Sequence, residues 1–403
     1  MRRLYLLLVL ASFTAPLRAA DWPQWLGPTR DAVTTEKIAP WKMPPVKVWS
    51  VSVDEGHSSP IVADGKVFLH VRDKDQEVIH AFDAAKGEAI WKSAYPRPEF
   101  NSLFGNGPRA TPAYADGKVY AYGITGILTC LDATKGDKLW QRNLLRELKV
   151  PNLTFGISAS PLLVEGNVVV QVGDGANLVA LARDTGDIAW KSLKDKASYA
   201  SPILVGSGKG AQIVVLNQAG LRAVRPDKGE LIWAFDFVDR LNESSATPIR
   251  ADGLLVASAV TAGAVALQLD VDKPAVQQAW KSDALCCYFS TPVPVGKHLY
   301  LVTGQVLLPQ ATLRCVEIAT GKELWKKEGV GKYHATLLRT GDDKLLMLTE
   351  SGDLVLFEPN AKEYRELARA KVCGTTWAHP ALCDGLLYVR DDKELSCWKI
   401  TSE

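Results

Sequence analysis

Short apolar or alternating runs follow one another along nearly the whole chain, each bounded by Gly, Pro, Asp or Asn, and this pattern predicts brief β-strands joined by turns. In its fullest form one unit begins with Thr111-Pro112, an apolar strand and the turn Ala115-Asp116-Gly117-Lys118. A strand from Val119 to Tyr122, a Gly-containing turn and a strand from Ile127 to Leu131 follow. The turn Asp132-Ala-Thr-Lys-Gly136 and the pair Leu139-Trp140 close the unit, which therefore holds four short strands.

This unit recurs. The closing tryptophan returns at Trp49, Trp91, Trp140, Trp190, Trp233, Trp280 and Trp325. The opening pair returns at Ser59-Pro60, Thr111-Pro112, Ser160-Pro161, Ser201-Pro202, Thr247-Pro248, Thr291-Pro292 and His379-Pro380, with a degenerate Thr336-Leu337 before the last. A period of about 40 to 50 residues marks a solenoid or propeller, because a lone four-stranded sheet cannot bury both of its faces and must stack on neighbours. Eight openings are visible. The last unit, Pro380 to Ile400, supplies only three strands, while Trp49 lies on an orphan strand, Val46 to Val53. The expected fold is thus all-β: an eight-bladed β-propeller of four-stranded antiparallel blades, its last blade closed by the N-terminal strand, which also protects the final edge. A seven-bladed ring with Asp21 to Val53 as a separate arm is the alternative. The expected organisation is a signal peptide over 1–20, an N-terminal arm over 21–45 and the propeller over 46–403.

The chain opens with Met1-Arg2-Arg3, an apolar stretch from Leu4 to Phe13 and small residues at Ala19 and Ala20, the layout of a secretory signal. Export, to a periplasmic or extracellular location, is the expectation. No cysteine stands at the junction to carry a lipid anchor, and the apolar run is too short to span a bilayer. Cleavage would remove Arg2, Arg3 and Arg18, turning 47 basic and 45 acidic residues into 44 and 45, a net charge near −1. Neither nucleic acid nor an anionic membrane is an expected partner for such a balance.

The consensus of Ser/Thr-Pro, Asp-Gly-Lys-Val, Leu-x-Ala-Leu-Asp-x-x-Thr-Gly and Trp resembles the PQQ-like repeat over about Val46 to Ile400. That repeat is shared by quinoprotein dehydrogenases and by the non-catalytic scaffold lipoprotein of the outer-membrane barrel-assembly machinery. The segment Asp21-Trp-Pro-Gln-Trp-Leu-Gly-Pro-Thr-Arg-Asp31 resembles the opening of many exported members. The resemblance implies the fold; catalytic and non-catalytic members share the tryptophans, so it leaves function open.

In such a ring the loops that precede each Pro pair gather around the mouth of the central channel. They bring His57, Asn106, Arg109, Phe155, Tyr199, Glu243, Tyr288, His334, Trp377 and His379 to one face, a mixture suited to a small polar ligand or a protein partner. His57 and Arg109 are the foremost candidates. Cys286-Cys287 precede Tyr288 on the same face, and the resemblance to quinoprotein alcohol dehydrogenases implies for such a pair a vicinal disulfide packed against the quinone. No carboxylate and amide set like the calcium site accompanies it, so a structural vicinal disulfide or buried thiols is the favoured reading.

Cys130, Cys315 and Cys397 sit where other units place Ala and are expected to be core thiols, while Cys373 and Cys383 form a candidate pair. There is no Gly-x-Ser-x-Gly and no Cys-x-x-Cys or His-x-x-x-His, so neither a hydrolase nucleophile nor a metal is expected. Two readings remain. The first is a monomeric, cofactor-free exported propeller that binds or scaffolds through its loop face; the alternative is a PQQ-dependent oxidoreductase of alcohols or sugars, with Cys286-Cys287 stacked on the quinone and Arg109 or a histidine near its carboxylates.

Overall fold

The computed structural model describes residues 21–270, 275–304 and 310–400. The expected signal segment over 1–20 lies outside them. Eight separate four-stranded antiparallel sheets follow in chain order, which bears out the eight-bladed ring and removes the seven-bladed alternative. Blade 1 runs from Ile61–Ala63 through Lys66–Asp73 and Gln76–Asp83 to Ala89–Pro96. Blade 2 comprises Ala113–Ala115, Lys118–Tyr122, Ile127–Asp132 and Lys138–Asn143. Blades 3 to 7 repeat this order, opening at Leu162–Val164, Ile203–Val205, Ile249–Ala251, Val293–Val295 and Ala335–Arg339. Blade 8 takes three strands from the C-terminus, Ala381–Cys383, Leu386–Arg390 and Glu394–Lys399, and its fourth, Val46–Ser52, from the N-terminus. The closing register pairs Trp49 with Cys397 and Val51 with Leu395.

The first hairpin of blades 1, 2, 3, 5 and 8 turns on an acidic residue followed by Gly. Both carry positive φ, as at Asp64 (52°) and Gly65 (71°), the geometry whose twist matches a two-residue hairpin. Sequence logic anticipated the glycine but not the left-handed acidic residue before it.

Blades 8, 1, 2, 3, 5 and 6 each dock on the next blade through a tryptophan. The Asp83-to-Gly87 turn shows how: Asp83 Oδ1 accepts the N–H groups of Ala85 and Lys86, and the chain reverses through Gly87 at φ +72°. The bare Cα of Gly87 receives Trp49, whose ring would lie 2.6 Å from an added Cβ. The same arrangement joins Trp91 to Gly136, Trp140 to Gly186, Trp190 to Gly229 and Trp280 to Gly321. The indole N–H then donates to a carbonyl of that turn, Trp91 to Ala133, Trp140 to Arg183, Trp280 to Ile318 and Trp325 to Asn360. Trp233 donates instead to Gln212 Oε1 at 2.7 Å. Blade 7 has no such tryptophan: Ala368 occupies the position, paired with Leu356. The reason is topological. Blade 8 draws its third and fourth strands from opposite ends of the chain, so no turn joins them and none waits to receive an indole.

The thiols follow the same register. Cys130, Cys315 and Cys397 each stand between a tyrosine of the second strand and the tryptophan of the fourth, as in Tyr120, Cys130 and Trp140. Where the second strand offers Phe68 or Val169, the third offers Ala81 or Ala180. All seven cysteines are free thiols. Neither the vicinal disulfide at Cys286-Cys287 nor the candidate pair Cys373 and Cys383 is formed.

Candidate functional site

The Ser/Thr hydroxyls of five opening pairs, Ser59, Thr111, Ser160, Ser201 and Thr291, build a belt along the channel wall. Ser59 N donates to Thr111 Oγ1, Thr111 N to Ser160 Oγ, and Ser160 N to Ser201 Oγ. Thr247 N donates to Thr291 Oγ1, and His379 N donates to Ser59 Oγ at 2.8 Å across the junction of blades 8 and 1. Each of these hydroxyls accepts a buried backbone N–H of the preceding blade. The belt fixes where the loops of the mouth begin.

Residues 21–36 of the arm run through the channel below this belt. Trp22 bridges Val62 of blade 1, Pro23 O accepts Tyr114 N of blade 2, Val33 bridges Arg339 of blade 7, and Glu36 Oε2 accepts Gly385 N of blade 8. Asp21 and Glu36 lie beside the Asp-Gly hairpins, on the face opposite the mouth, so the arm enters and leaves there and doubles back within the channel. Arg30 is 4% exposed and donates to the carbonyls of Pro161 (2.7 Å) and Ser160 (3.3 Å) and to Gln24 Oε1. Burial lowers its pKa to about 9. Trp25 reaches highest: its indole N–H donates to Thr247 Oγ1 and its ring meets His379 edge-on at 4.4 Å.

Above Trp25 the mouth opens as an aromatic cup enclosing about 130 Å³. Of the candidate residues it gathers His57, Arg109, Phe155, Tyr199, Glu243, Tyr288, Trp377 and His379. The others stand apart. Asn106 braces the loop after blade 1, accepting Ser102 N at 2.7 Å, and His334 is buried behind the wall, 6.5 Å from Trp377. Cys286 and Cys287 are buried, Cys287 in the core between blades 5 and 6, and neither lines the cup. Sequence reasoning missed Trp25, Phe104 and Phe289. Trp25 was hidden in an arm with no strand register, although the two tryptophans of its opening motif were a signal; Phe289 directly follows a chosen residue.

The walls are rings packed on rings. Phe289 stacks on Trp377 at 5.3 Å, His57 on Trp377 at 5.2 Å, and Phe104, Phe155 and Tyr199 continue at 5.5 and 5.7 Å. The charged groups are already engaged. Arg109 gives Nε to Phe155 O, Nη1 to Phe104 O, and Nη2 to Gly105 O and Ser102 Oγ, and burial lowers its pKa to about 10. It therefore clamps two loops more than it offers a free guanidinium. Glu243 Oε2 accepts the Tyr288 hydroxyl at 2.6 Å. Burial, then the nearby Arg109, lowers the His57 pKa to about 4. His379 lies in the floor with both ring nitrogens unpartnered, and burial holds its pKa at about 3.

The lining offers no free guanidinium to a pyrroloquinoline quinone. Arg109, the one guanidinium lining the cup, is already shared among four oxygens, so it is poorly placed to pair with a tricarboxylate. Among the described residues no cluster of three or more His, Cys, Asp or Glu is placed to hold a metal ion.

Residues 74–327 match the family described as outer membrane protein assembly factor BamB. The Yersinia pestis protein of that name is 27% identical over 252 residues, covering 56% of this chain and 58% of its own length. The first curated relatives matched are spanned over less than two thirds of their length. Among solved structures, the quinohemoprotein alcohol dehydrogenase of Comamonas testosteroni superposes with a TM-score of 0.68 at 14% identity, covering 95% of this chain and 81% of that one. The BamB of Moraxella catarrhalis superposes at 0.63 and 15% identity, covering 90% and 99%. These likenesses concern the fold.

Proposed function

The chain belongs to the BamB family of repeat propellers, and we propose that it is a non-catalytic, exported binding module whose loop face engages another polypeptide. One observation carries the reading: an aromatic cup sealed from below by the protein's own Trp25, in which each charged lining group is already bonded to a neighbour. Nothing in such a lining is poised to attack or to exchange a proton, whereas fixed aromatic rings in a concave site make good anchors for a partner. Leu103, 92% exposed beside Phe104, and Val238 and Leu241 on the loop after blade 4 extend the apolar surface beyond the cup. Relatives named as outer membrane protein assembly factors support a polypeptide partner, and export agrees with such a role. No helix among the described residues is long and apolar enough to cross a membrane.

Dehydrogenase relatives keep the quinone-dependent reading as the competitor. A photoreactive benzophenone side chain placed at Leu103 or Leu241 should cross-link a discrete polypeptide in cells exporting the protein; one placed at Ile90, on the outer perimeter, should not. Equal cross-linking from both positions would remove the proposal. So would pyrroloquinoline quinone and Ca²⁺ that survive desalting and support dye reduction with an alcohol.

A further inference from the structure

We propose that Glu350 is a positioning residue of the loop face: from behind the cup it orients the Trp377 ring and ties the loops after blades 6 and 7 together, so that the face meets its partner already formed. This deepens the polypeptide-binding reading above and rests on it.

Glu350 directly follows the strand Leu345–Thr349 of blade 7 and is 7% exposed, yet it does not line the cup. Its carboxylate accepts three N–H groups. Oε2 takes those of Lys332 (2.9 Å) and Tyr333 (2.8 Å), on the loop after blade 6. Oε1 takes the indole N–H of Trp377 (2.7 Å), on the loop after blade 7. The Glu350 carbonyl adds Thr376 N at 3.0 Å, next to Trp377 in the chain. Burying a carboxylate is costly unless its oxygens are bonded, and here the bonds that satisfy them run to two loops of the mouth.

Trp377 carries that hold into the face. It stacks on Phe289 at 5.3 Å and on His57 at 5.2 Å, and Phe104 lies at 5.7 Å, so it joins walls contributed by the loops after blades 5, 8 and 1. Stacked rings admit a range of offsets, so packing alone leaves the edge of the indole free to turn in its plane. A hydrogen bond to a carboxylate is short and directional, and it fixes that edge.

The site requires an acceptor at both oxygens. All three side-chain partners are donors, and an ionised carboxylate only accepts. A glutamine of the same shape would turn its NH₂ toward either the indole or the two amides. Two amide donors against one indole would keep the oxygen on the side of Lys332 and Tyr333, and Trp377 would be released.

The test uses residues 21–403 with isotopically labelled tryptophan, the Trp377 indole signal being assigned by Trp377→Phe. In the parent that indole proton should exchange with water at least about a hundredfold more slowly than a free indole. Less than about tenfold protection overturns the bond, whether or not any variant folds. In Glu350→Gln, with the other indole signals in place, the Trp377 proton should shift upfield and exchange at least about tenfold faster; an unmoved signal overturns the positioning role. Binding is read as the cross-link from Leu241, on the loop after blade 4. Glu350→Gln should lower its yield severalfold at equal protein level, and in the Trp377→Phe background the same substitution should lower it no further. Full yield from Glu350→Gln despite a displaced indole signal overturns the claim that the partner meets a face set by Glu350. An additive loss on top of Trp377→Phe means that Glu350 does not act through Trp377 and overturns the proposal too. A parent that gives no cross-link from Leu241 overturns the binding reading alone, and the indole measurement then decides the role of Glu350.

Discussion

Trp49 Nε1 donates to the carbonyl oxygen of Ala84 at 3.0 Å, across the seam where the two ends of the propeller meet. Trp49 lies on the strand that completes blade 8, and Ala84 in the turn of blade 1, so this one bond spans the junction that makes the ring continuous. Tyr388 adds its hydroxyl to the same carbonyl at 3.1 Å.

Trp49→Ala should therefore cost as much as the same change within the ring at Trp140. Both side chains are 9% exposed and both fill the next blade's glycine turn. Removing a buried tryptophan costs about 3 to 5 kcal/mol. Urea unfolding should show a single shifted transition for each variant. A Trp49→Ala protein that keeps the parent's main transition and loses only a minor early phase would show that the seam is not part of the cooperative unit.

Gly136→Ala isolates what the docking turn requires. At φ +77° a Cβ costs about 1 to 2 kcal/mol, and here it would also lie 2.6 Å from Trp91 Cδ2. Gly117→Ala, at φ +73° with nothing within 4 Å, carries the conformational cost alone. The first should be the more destabilising in urea titration. In a double-mutant cycle the clash should vanish when Trp91→Ala is added, so the two changes together should cost less than their sum.

These junctions explain what was legible in the sequence. The Asp-to-Gly turns, the Ser/Thr-Pro pairs and the tryptophans recur because each satisfies one local demand of blade stacking, and repetition made them visible. Even the missing tryptophan of blade 7, Ala368, follows from the opened blade 8. The cup was half legible. Tyr199, Glu243 and Trp377 could be placed by counting back from a Pro pair, but Trp25 belongs to no repeat, and its position depends on how the arm folds within the channel. Cys286 and Cys287 shared the register of the mouth, yet neither lines the cup, because the chain turns Cys287 inward and Ser258 Oγ accepts its N–H at 2.8 Å.

Arg30 should anchor the arm and, through it, the cup's floor. Arg30→Met keeps length and apolar stem but leaves the carbonyls of Ser160 and Pro161 without their donor. Hydrogen bonds to a charged group contribute about 1.5 to 3 kcal/mol each, so a loss of about 3 kcal/mol is expected in thermal unfolding. The fluorescence of Trp25 should shift to the red as the arm loosens. Arg30→Lys, with one ammonium for two carbonyls, should recover only part of the loss; full recovery would show that charge and not the planar fork matters.

Seven free thiols make a clear chemical expectation. Burial pushes the thiols of Cys130, Cys287 and Cys397 up to about 12. A thiolate is the reactive form, so these groups should resist modification in the folded state. Ellman's reagent should find almost no reactive thiol in the native protein and seven after denaturation without a reductant. Five or fewer after denaturation would reveal a disulfide.

His379 should make the protein acid-sensitive, in a direction fixed by its depressed folded pKa. Burial keeps the ring neutral down to about pH 3 in the folded state, whereas the unfolded ring titrates near 6.5. Between these values the unfolded chain binds one more proton, so stability is fully present above about pH 6.5 and is lost as pH falls toward 3, by about 1.4 kcal/mol per pH unit. His57, held at about 4, and His70, held at about 3, pull the same way. Buried Glu77, whose pKa is raised by desolvation, pulls the other way above its unfolded value. A single pH profile therefore mixes opposing groups, and the difference between parent and His379→Phe isolates one ring. At pH 7 the variant should match or exceed the parent, since no hydrogen bond to either ring nitrogen is lost. From pH 6 to pH 4 its advantage in urea unfolding should grow by about 1.4 kcal/mol per unit. A constant difference across that range would mean that His379 is protonated in the folded protein or already solvated there.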